Sequence, residues 1–233
     1  MRILRTVLLA LSSVLVLLSH PVLAEKQKVV LDKNEYGGKT VETTYEQGDR
    51  LYSDILKEIV SFDGTGKAAM VEDFYNDKFA GEKGFARTIA YYDGSGKMIK
   101  EEQFYTDKFV LKKGGFKSVA RYDNNEKMTQ IESFYTDRFA DEKGYFKTVA
   151  FYDVSERVTK LESFYTDKFA AEKGYFKTTA YYDGSGKATK LESFYTDRFA
   201  SDKGFDKIVS YYGGSNETVK AEYYMNGSLI LTR

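Results

Sequence analysis

The sequence predicts an all-β fold, an elongated stack of antiparallel β-hairpins built from thirty-residue repeats with short helical connectors. Three observations predict it. The hexapeptide ESFYTD stands at 132–137, at 162–167 and at 192–197, so one spelling returns at a fixed interval. Whole columns keep that period: Phe74, Phe104, Phe134, Phe164 and Phe194 form one, and Tyr75, Tyr105, Tyr135, Tyr165 and Tyr195 form the next. Within a unit, Thr- and Tyr-rich runs such as KTTAYYD (177–183) and KATKLESFY (187–195) flank a short Gly-containing turn, the signature of a hairpin. A period of this length marks a repeat array, in which neighbours bury what one unit cannot. Weaker copies at roughly 28–60 and 213–233 are read as end caps.

The residues ahead of the repeats are read separately. MRILR is basic, TVLLALSSVLVLLS is uncharged and mostly apolar, and HPVLA ends with Val22 and Ala24 at cleavage-site positions. This is the pattern of a signal peptide over 1–24, leaving a repeat domain over 25–233. The apolar run is shorter than the roughly 20 residues of a membrane span. The expectation is therefore a periplasmic or secreted bacterial protein, not transmembrane after cleavage.

Composition then narrows the function. The single His and single Pro, His20 and Pro21, lie in the leader, and the chain has no Cys and no Trp. Ser–His–Asp and Cys–His nucleophilic catalysis lack their residue types. Zinc sites lose their usual ligands, and no disulfide framework exists. Basic and acidic residues number 35 each, and losing Arg2 and Arg5 leaves the mature chain slightly acidic. No basic field points to nucleic acid. An aromatic content of 16% argues for a folded chain over a disordered one.

Each element of the unit has a local reason. In TDKFAAEKG, Asp167 is placed to cap a short helix, Lys173 suits its last turn, and Gly174 suits a left-handed exit. So short a helix needs packing, and Phe169 with its copies Phe79, Phe109, Phe139 and Phe199 are the expected anchors. In the first strand, Thr178, Ala180 and Tyr182 share one face and Lys177, Thr179 and Tyr181 the other. Arg121 in the column of Tyr91, Phe151, Tyr181 and Tyr211 marks that second face as the exposed one, placing the small–small–Tyr face inside. Lys160 and Glu162 are expected to face water and pair across strands. Charged mid-strand residues disfavour an outer-membrane barrel. A parallel β-solenoid is the alternative fold.

The stretch YYDGSGKATKLESFY resembles the variant MORN-type (membrane occupation and recognition nexus) repeats, with an aromatic pair, a Gly–Lys turn and a strand carrying Glu and aromatics. Copies ending in Tyr92, Tyr122, Tyr152 and Tyr182 fit it, and the likeness covers the strand–turn–strand half of each unit. It implies stacked hairpins used for protein or membrane-surface contacts, and no catalytic residues. A weaker likeness runs to cell-wall and glucan-binding repeats, which use YY-D-x-x-GK hairpins with Trp-rich cages.

The functional expectation is a non-enzymatic, exported repeat scaffold that binds a protein or an envelope-surface component, without cofactor or metal. The alternative is a carbohydrate or cell-wall-binding module whose candidate stripe is Tyr91, Phe151, Tyr181 and Tyr211. An enzyme using paired carboxylates is a third reading, with Glu132, Glu162 and Glu192 the most regular candidates. A cross-strand-paired Glu ladder explains those three without catalysis. Calcium held between the repeated Asp turns is a further alternative, although DGSGK and DGTGK offer few oxygen ligands.

Overall fold

The computed structural model describes residues 26–45, 54–214 and 217–233. Its strands form one open antiparallel sheet in strict sequence order. β1 (Lys26–Leu31), β2 (Gly37–Thr44), β3 (Ile55–Asp63) and β4 (Ala68–Tyr75) begin it. Helix, strand and strand then recur as α1 (Asp77–Lys83), β5 (Phe85–Tyr92) and β6 (Met98–Tyr105), then α2 (Asp107–Lys113), β7 (Gly115–Tyr122) and β8 (Met128–Tyr135). The series continues with α3 (Asp137–Lys143), β9 (Tyr145–Tyr152), β10 (Val158–Tyr165), α4 (Asp167–Lys173), β11 (Tyr175–Tyr182) and β12 (Ala188–Tyr195). It ends with α5 (Asp197–Lys203), β13 (Lys207–Tyr212), β14 (Thr218–Met225) and β15 (Ser228–Thr232). The antiparallel order sets aside the parallel solenoid. The hairpins join edge to edge through backbone hydrogen bonds, where the sequence suggested that apolar faces would cover one another. The leader, 1–24, lies outside the described residues.

The turn joining the two strands of a hairpin is set by one carboxylate. Asp93 Oδ1 accepts from the Ser95 amide (2.8 Å) and the Lys97 amide (3.0 Å), and Asp63, Asp123, Asp153 and Asp183 repeat the pattern. The invariant basic residue of DGSGK reaches forward instead. Lys97 Nζ donates to the Asn124 carbonyl (2.5 Å), Lys127 Nζ to Val154 (2.8 Å), and Arg157 Nη1 to Gly184 (3.2 Å). Asp therefore shapes each turn and Lys or Arg ties it to the next, so the residues between them are free to vary. Glu126 and Glu156 occupy the left-handed turn position where other copies have Gly.

The helical connector ties units at the opposite end of the strands. Thr166, rather than the expected Asp167, is the N-cap: its hydroxyl accepts from the Phe169 amide at 3.2 Å, and Asp167 sits in the first turn. The Thr166 amide donates to the Gly144 carbonyl of the preceding unit (2.8 Å), as Thr106, Thr136 and Thr196 do to Gly84, Gly114 and Gly174. Phe169 stacks on Tyr165 at 4.7 Å and meets Tyr175 edge-on at 5.4 Å. Its ring also lies where a side chain on Gly144 would be, and Phe109, Phe139 and Phe199 stand likewise against Gly84, Gly114 and Gly174. These glycines have φ between 79° and 89°. Each is thus required twice, once by its left-handed backbone and once by the neighbouring ring.

Burial within the sheet departs from the expectation. Thr179, on the face assigned to solvent, is 2% exposed, whereas Thr178 and Ala180 are only half-buried. Val119, Val149 and Val209 occupy the same row and are also buried. The long Lys and aromatic side chains on either side lie over these short β-branched residues. On the other face the short Ala, Ser and Thr cannot cover one another as fully. There the tyrosine hydroxyls bond across strands, Tyr105 to Ser118 (3.0 Å) and Tyr165 to Thr178 (3.1 Å). In the first units that face is sealed too, with Thr88, Ala90, Ser118 and Ala120 buried.

The Gly–Phe contact can be separated from backbone strain. Gly186 has φ 80° but open space around it, whereas Gly144 has φ 88° and Phe169 against it. Gly186→Ala is expected to cost about 1–2 kcal/mol from the left-handed conformation alone. Gly144→Ala is expected to cost about 3 kcal/mol or more by adding overpacking. Urea denaturation of the two variants measures the difference; equal losses would show that the ring contact contributes nothing.

Candidate functional site

Three side-chain arrangements carry chemistry: a charged lattice on one face, a carboxylate cluster near the N-terminal end, and a phenylalanine row beside the helices. The lattice follows from register. Phe74, Arg87, Phe104, Lys117, Phe134, Lys147, Phe164, Lys177, Phe194 and Lys207 face one another across successive strands, so ring and cation alternate. Arg87 lies 3.9 Å from the Phe104 ring centre and Lys177 5.1 Å from that of Phe164. Two residues along, glutamates alternate with the buried β-branched row. Two further on stand Tyr91, Phe151, Tyr181 and Tyr211, the stripe singled out from the sequence.

That stripe is woven into the lattice. Lys100 sits 3.6 Å over Tyr91, Lys160 3.6 Å over Phe151, Lys190 3.8 Å over Tyr181 and Lys220 5.2 Å from Tyr211. The Tyr181 hydroxyl donates to Glu192 (3.1 Å) and that of Tyr211 to Glu222 (2.9 Å). The same lysines pair with the glutamates, Lys160 and Lys177 bracketing Glu162 at 3.3 and 3.2 Å. Where Arg121 replaces the aromatic residue, Gln130 replaces the lysine, and Arg121 supplies the charge to Glu132 at 3.5 Å. From β5 onward, one cation per hairpin is retained at this row by exchanging positions. Glu132, Glu162 and Glu192 are thus engaged by cations or tyrosines of the lattice. Lys220, Tyr224 and Tyr211 hold Glu222 down to about 2. Each ring–cation contact is worth about 0.5–1 kcal/mol and each ion pair about 0–1, so the lattice acts as a sum over units. The turn aspartates accept from their own backbone amides, and among the described residues no cluster of three acidic or other ligating side chains could hold a metal.

The carboxylate cluster breaks the repeat. Glu58 and Asp73 stand directly opposite each other on β3 and β4, where later hairpins place Thr or Ser pairs such as Thr148 with Ser163 and Thr178 with Ser193. Like charges in that relation are unfavourable. Asp73 Oδ1 is sealed from solvent and has no hydrogen-bond partner among the described residues. Burial, then the charge of Glu58, pushes Asp73 up to about 7, with Glu101 and Glu72 adding to it and Tyr75 opposing. Glu101 is also raised by burial, and accepts from Tyr122 (3.3 Å) and Gln103 (3.2 Å). Nothing in the sequence pattern singled out these residues, although their departure from the Ser/Thr column was a visible signal.

The third arrangement was also missed. The first strand of each interior hairpin bulges one residue after its start: Phe116 lies unpaired between Gly115 and Lys117, Phe146 between Tyr145 and Lys147, and Phe176 between Tyr175 and Lys177. A bulge re-aims a side chain out of the alternation. The three rings are 43%, 45% and 46% exposed. Phe116 and Phe146 line a groove with Asp137, Ala140 and Asp141 of α3, and Phe176 lines another with Asp167, Asp197, Arg198 and Asp202. The signal lay in one column, Ala86, Phe116, Phe146, Phe176 and Asp206, apolar in the interior units and not at the end.

No family model and no curated protein matches the chain.

The titrations have opposite signs and predict a stability maximum. Asp73 holds a proton in the folded state that the unfolded chain, near its ordinary value of 3.8, releases. Its contribution is therefore complete below about pH 4 and is lost as pH rises towards 7. Asp63, Asp93, Asp123, Asp153 and Asp183 are held below 3.8, Asp93 chiefly by the Ser95 hydroxyl and the Lys97 amide. Their contribution is present above about pH 4 and is lost on further acidification. Denaturation midpoints from pH 2 to 8 are expected to peak at about pH 4–5, and Asp73→Asn to reduce the decline towards pH 7, with Glu101, also raised by burial, carrying the remainder. A wild-type profile flat across that interval would contradict the assignment.

Proposed function

We propose that the chain is a non-enzymatic, exported repeat scaffold whose surface engages another protein or an envelope component. The observation that carries this reading is the row of exposed phenylalanines, one per interior hairpin, beside open grooves at the helical end of the sheet. Full burial of a side chain of this size is worth about 1.5–3 kcal/mol, so leaving each half-exposed forgoes a part of that. An exposed apolar row on an otherwise charged surface marks an interaction site. The lattice glutamates are engaged by cations and tyrosines, which supports a structural role for them over glycoside hydrolysis.

Export rests on the leader read over 1–24. Among the described residues no helix is long and apolar enough to cross a membrane. The repeated hairpins are in keeping with the variant MORN-type resemblance, which we retain as a proposal. Tyr91, Phe151 and Tyr181 each have a lysine within 4 Å of the ring centre. A sugar stacking there would displace that lysine, so the glycan reading of the stripe draws less support than docking at the phenylalanine row.

A photo-crosslinking residue at position 146 of the full chain, in its native cells, is expected to give one discrete adduct. The same residue at 186, in an open turn, is expected to give none. Adducts of equal yield at both positions, or none at 146, would contradict the reading.

A further inference from the structure

The Glu58–Asp73 pair sits at a junction that lacks one of the array's ties. From Gly84 to Gly174 each helix-terminal glycine receives the phenylalanine of the following connector, but the same column one period earlier holds Asp54. The Asn76 amide still donates to the Asp54 carbonyl (2.9 Å), so the backbone tie remains without the glycine seat. At this junction Glu58 is 4% exposed and faces Asp73 across β3 and β4, and Asp73 Oδ1 is sealed from solvent without a hydrogen-bond partner. Val60, Ala68 and Val71 pack with Phe62 and Tyr92 across the same strands and oppose the repulsion of the pair. We infer that the β3–β4 contact is a proton-operated latch: a proton on Asp73 keeps β1–β3 docked, and its release lets those strands swing away from β4 while the interior hairpins stay assembled.

The groups around Asp73 set the direction of the switch. Glu58 acts on it from β3, Glu101 from β6 and Glu72 from its own strand, all three carboxylates, and the Tyr75 hydroxyl alone opposes them. Its direct neighbour on β5 is Thr88, whose hydroxyl bonds that of Tyr75 at 3.0 Å, while Thr43 of β2 and the Tyr45 hydroxyl (3.4 Å) face Glu58. Burial and then Glu58 hold the Asp73 carboxyl at about 7, and in an opened β3–β4 contact it returns towards 3.8. Opening therefore releases a proton, and each pH unit between about 4 and 7 favours the opened form by up to about tenfold. Swinging out also bares the Val60–Val71 cluster to water, an apolar cost that keeps the latch closed while Asp73 is protonated. The response is local, because a repeat array couples each unit only to its neighbours and β5 onward keeps its Gly–Phe seats.

The chain has no Cys, so pairs of introduced cysteines carry dyes at defined turns. One pair, Lys33→Cys with Asn125→Cys, spans the latch, and the other, Asn125→Cys with Gly214→Cys, lies wholly beyond it. Each pair is separated by six strands, roughly 30 Å, a distance suited to energy transfer between dyes. Single-molecule transfer in the full chain is read from pH 5 to pH 8. The pair spanning the latch is expected to gain a low-transfer population, its closed-to-open ratio falling about tenfold or more, while the second pair keeps one value. Asp73→Asn is expected to hold the first pair closed throughout, with circular dichroism unchanged. Absence of the low-transfer population at pH 8, or its appearance in both pairs together, would overturn the inference. A pH response that persists undiminished in Asp73→Asn would overturn it equally.

Discussion

The structure depends on the seating of one unit's phenylalanine on the preceding unit's helix-terminal glycine. Phe169 occupies the space that a side chain on Gly144 would fill, and the adjacent Thr166 amide closes on the Gly144 carbonyl. A helix of seven residues has no independent stability, so it persists because the ring is held between Tyr165, Tyr175 and that glycine. The connector then fixes where the next strand begins, and the register of the sheet follows. Uniform spelling in TDKFAAEKG and its copies is the consequence: each residue that shapes its own unit also receives the next one.

A single open sheet has no second layer to bury its faces, and this constraint explains the side-chain lattice. Long residues must cover short ones within the plane. On one face Lys, Arg, Phe and Tyr roof over Val119, Val149, Thr179 and Val209, while glutamates between them balance the lysines. Cation, ring and carboxylate share contacts, and in the β7–β8 hairpin the Lys and the aromatic residue are exchanged together, for Gln130 and Arg121. On the opposite face, the Glu58–Asp73 pair sets two carboxylates against each other where later hairpins place Thr or Ser. The opening units also differ from the interior ones in lacking a phenylalanine at the bulge, Ala86 standing there.

Much of this fold was legible in the residues. The period, the hairpin turns, the helical staple, Gly174 and Phe169 were all readable, because each is a local rule repeated many times. The N-cap was displaced by one residue, since Thr166 and Asp167 are both competent and only the backbone angles decide between them. The buried face is inverted relative to the sequence because Arg121 in an aromatic column signals exposure only when read alone, and its cross-strand partner Gln130 changes with it. Alternation also hid Phe116, Phe146 and Phe176: a bulge adds a residue that the period-two rule places on neither face. The Glu58–Asp73 pairing depends on cross-strand register, which no single strand reveals.

The central claim is that order arises between units and not within them. Arrays containing one, two, three and four complete interior units, starting from residues 144–173, test it by circular dichroism and urea denaturation. One unit alone is expected to be unfolded, with a cooperative transition emerging and its midpoint rising as units are added. A single unit that unfolds cooperatively, at the same midpoint as the longer arrays, would contradict the account.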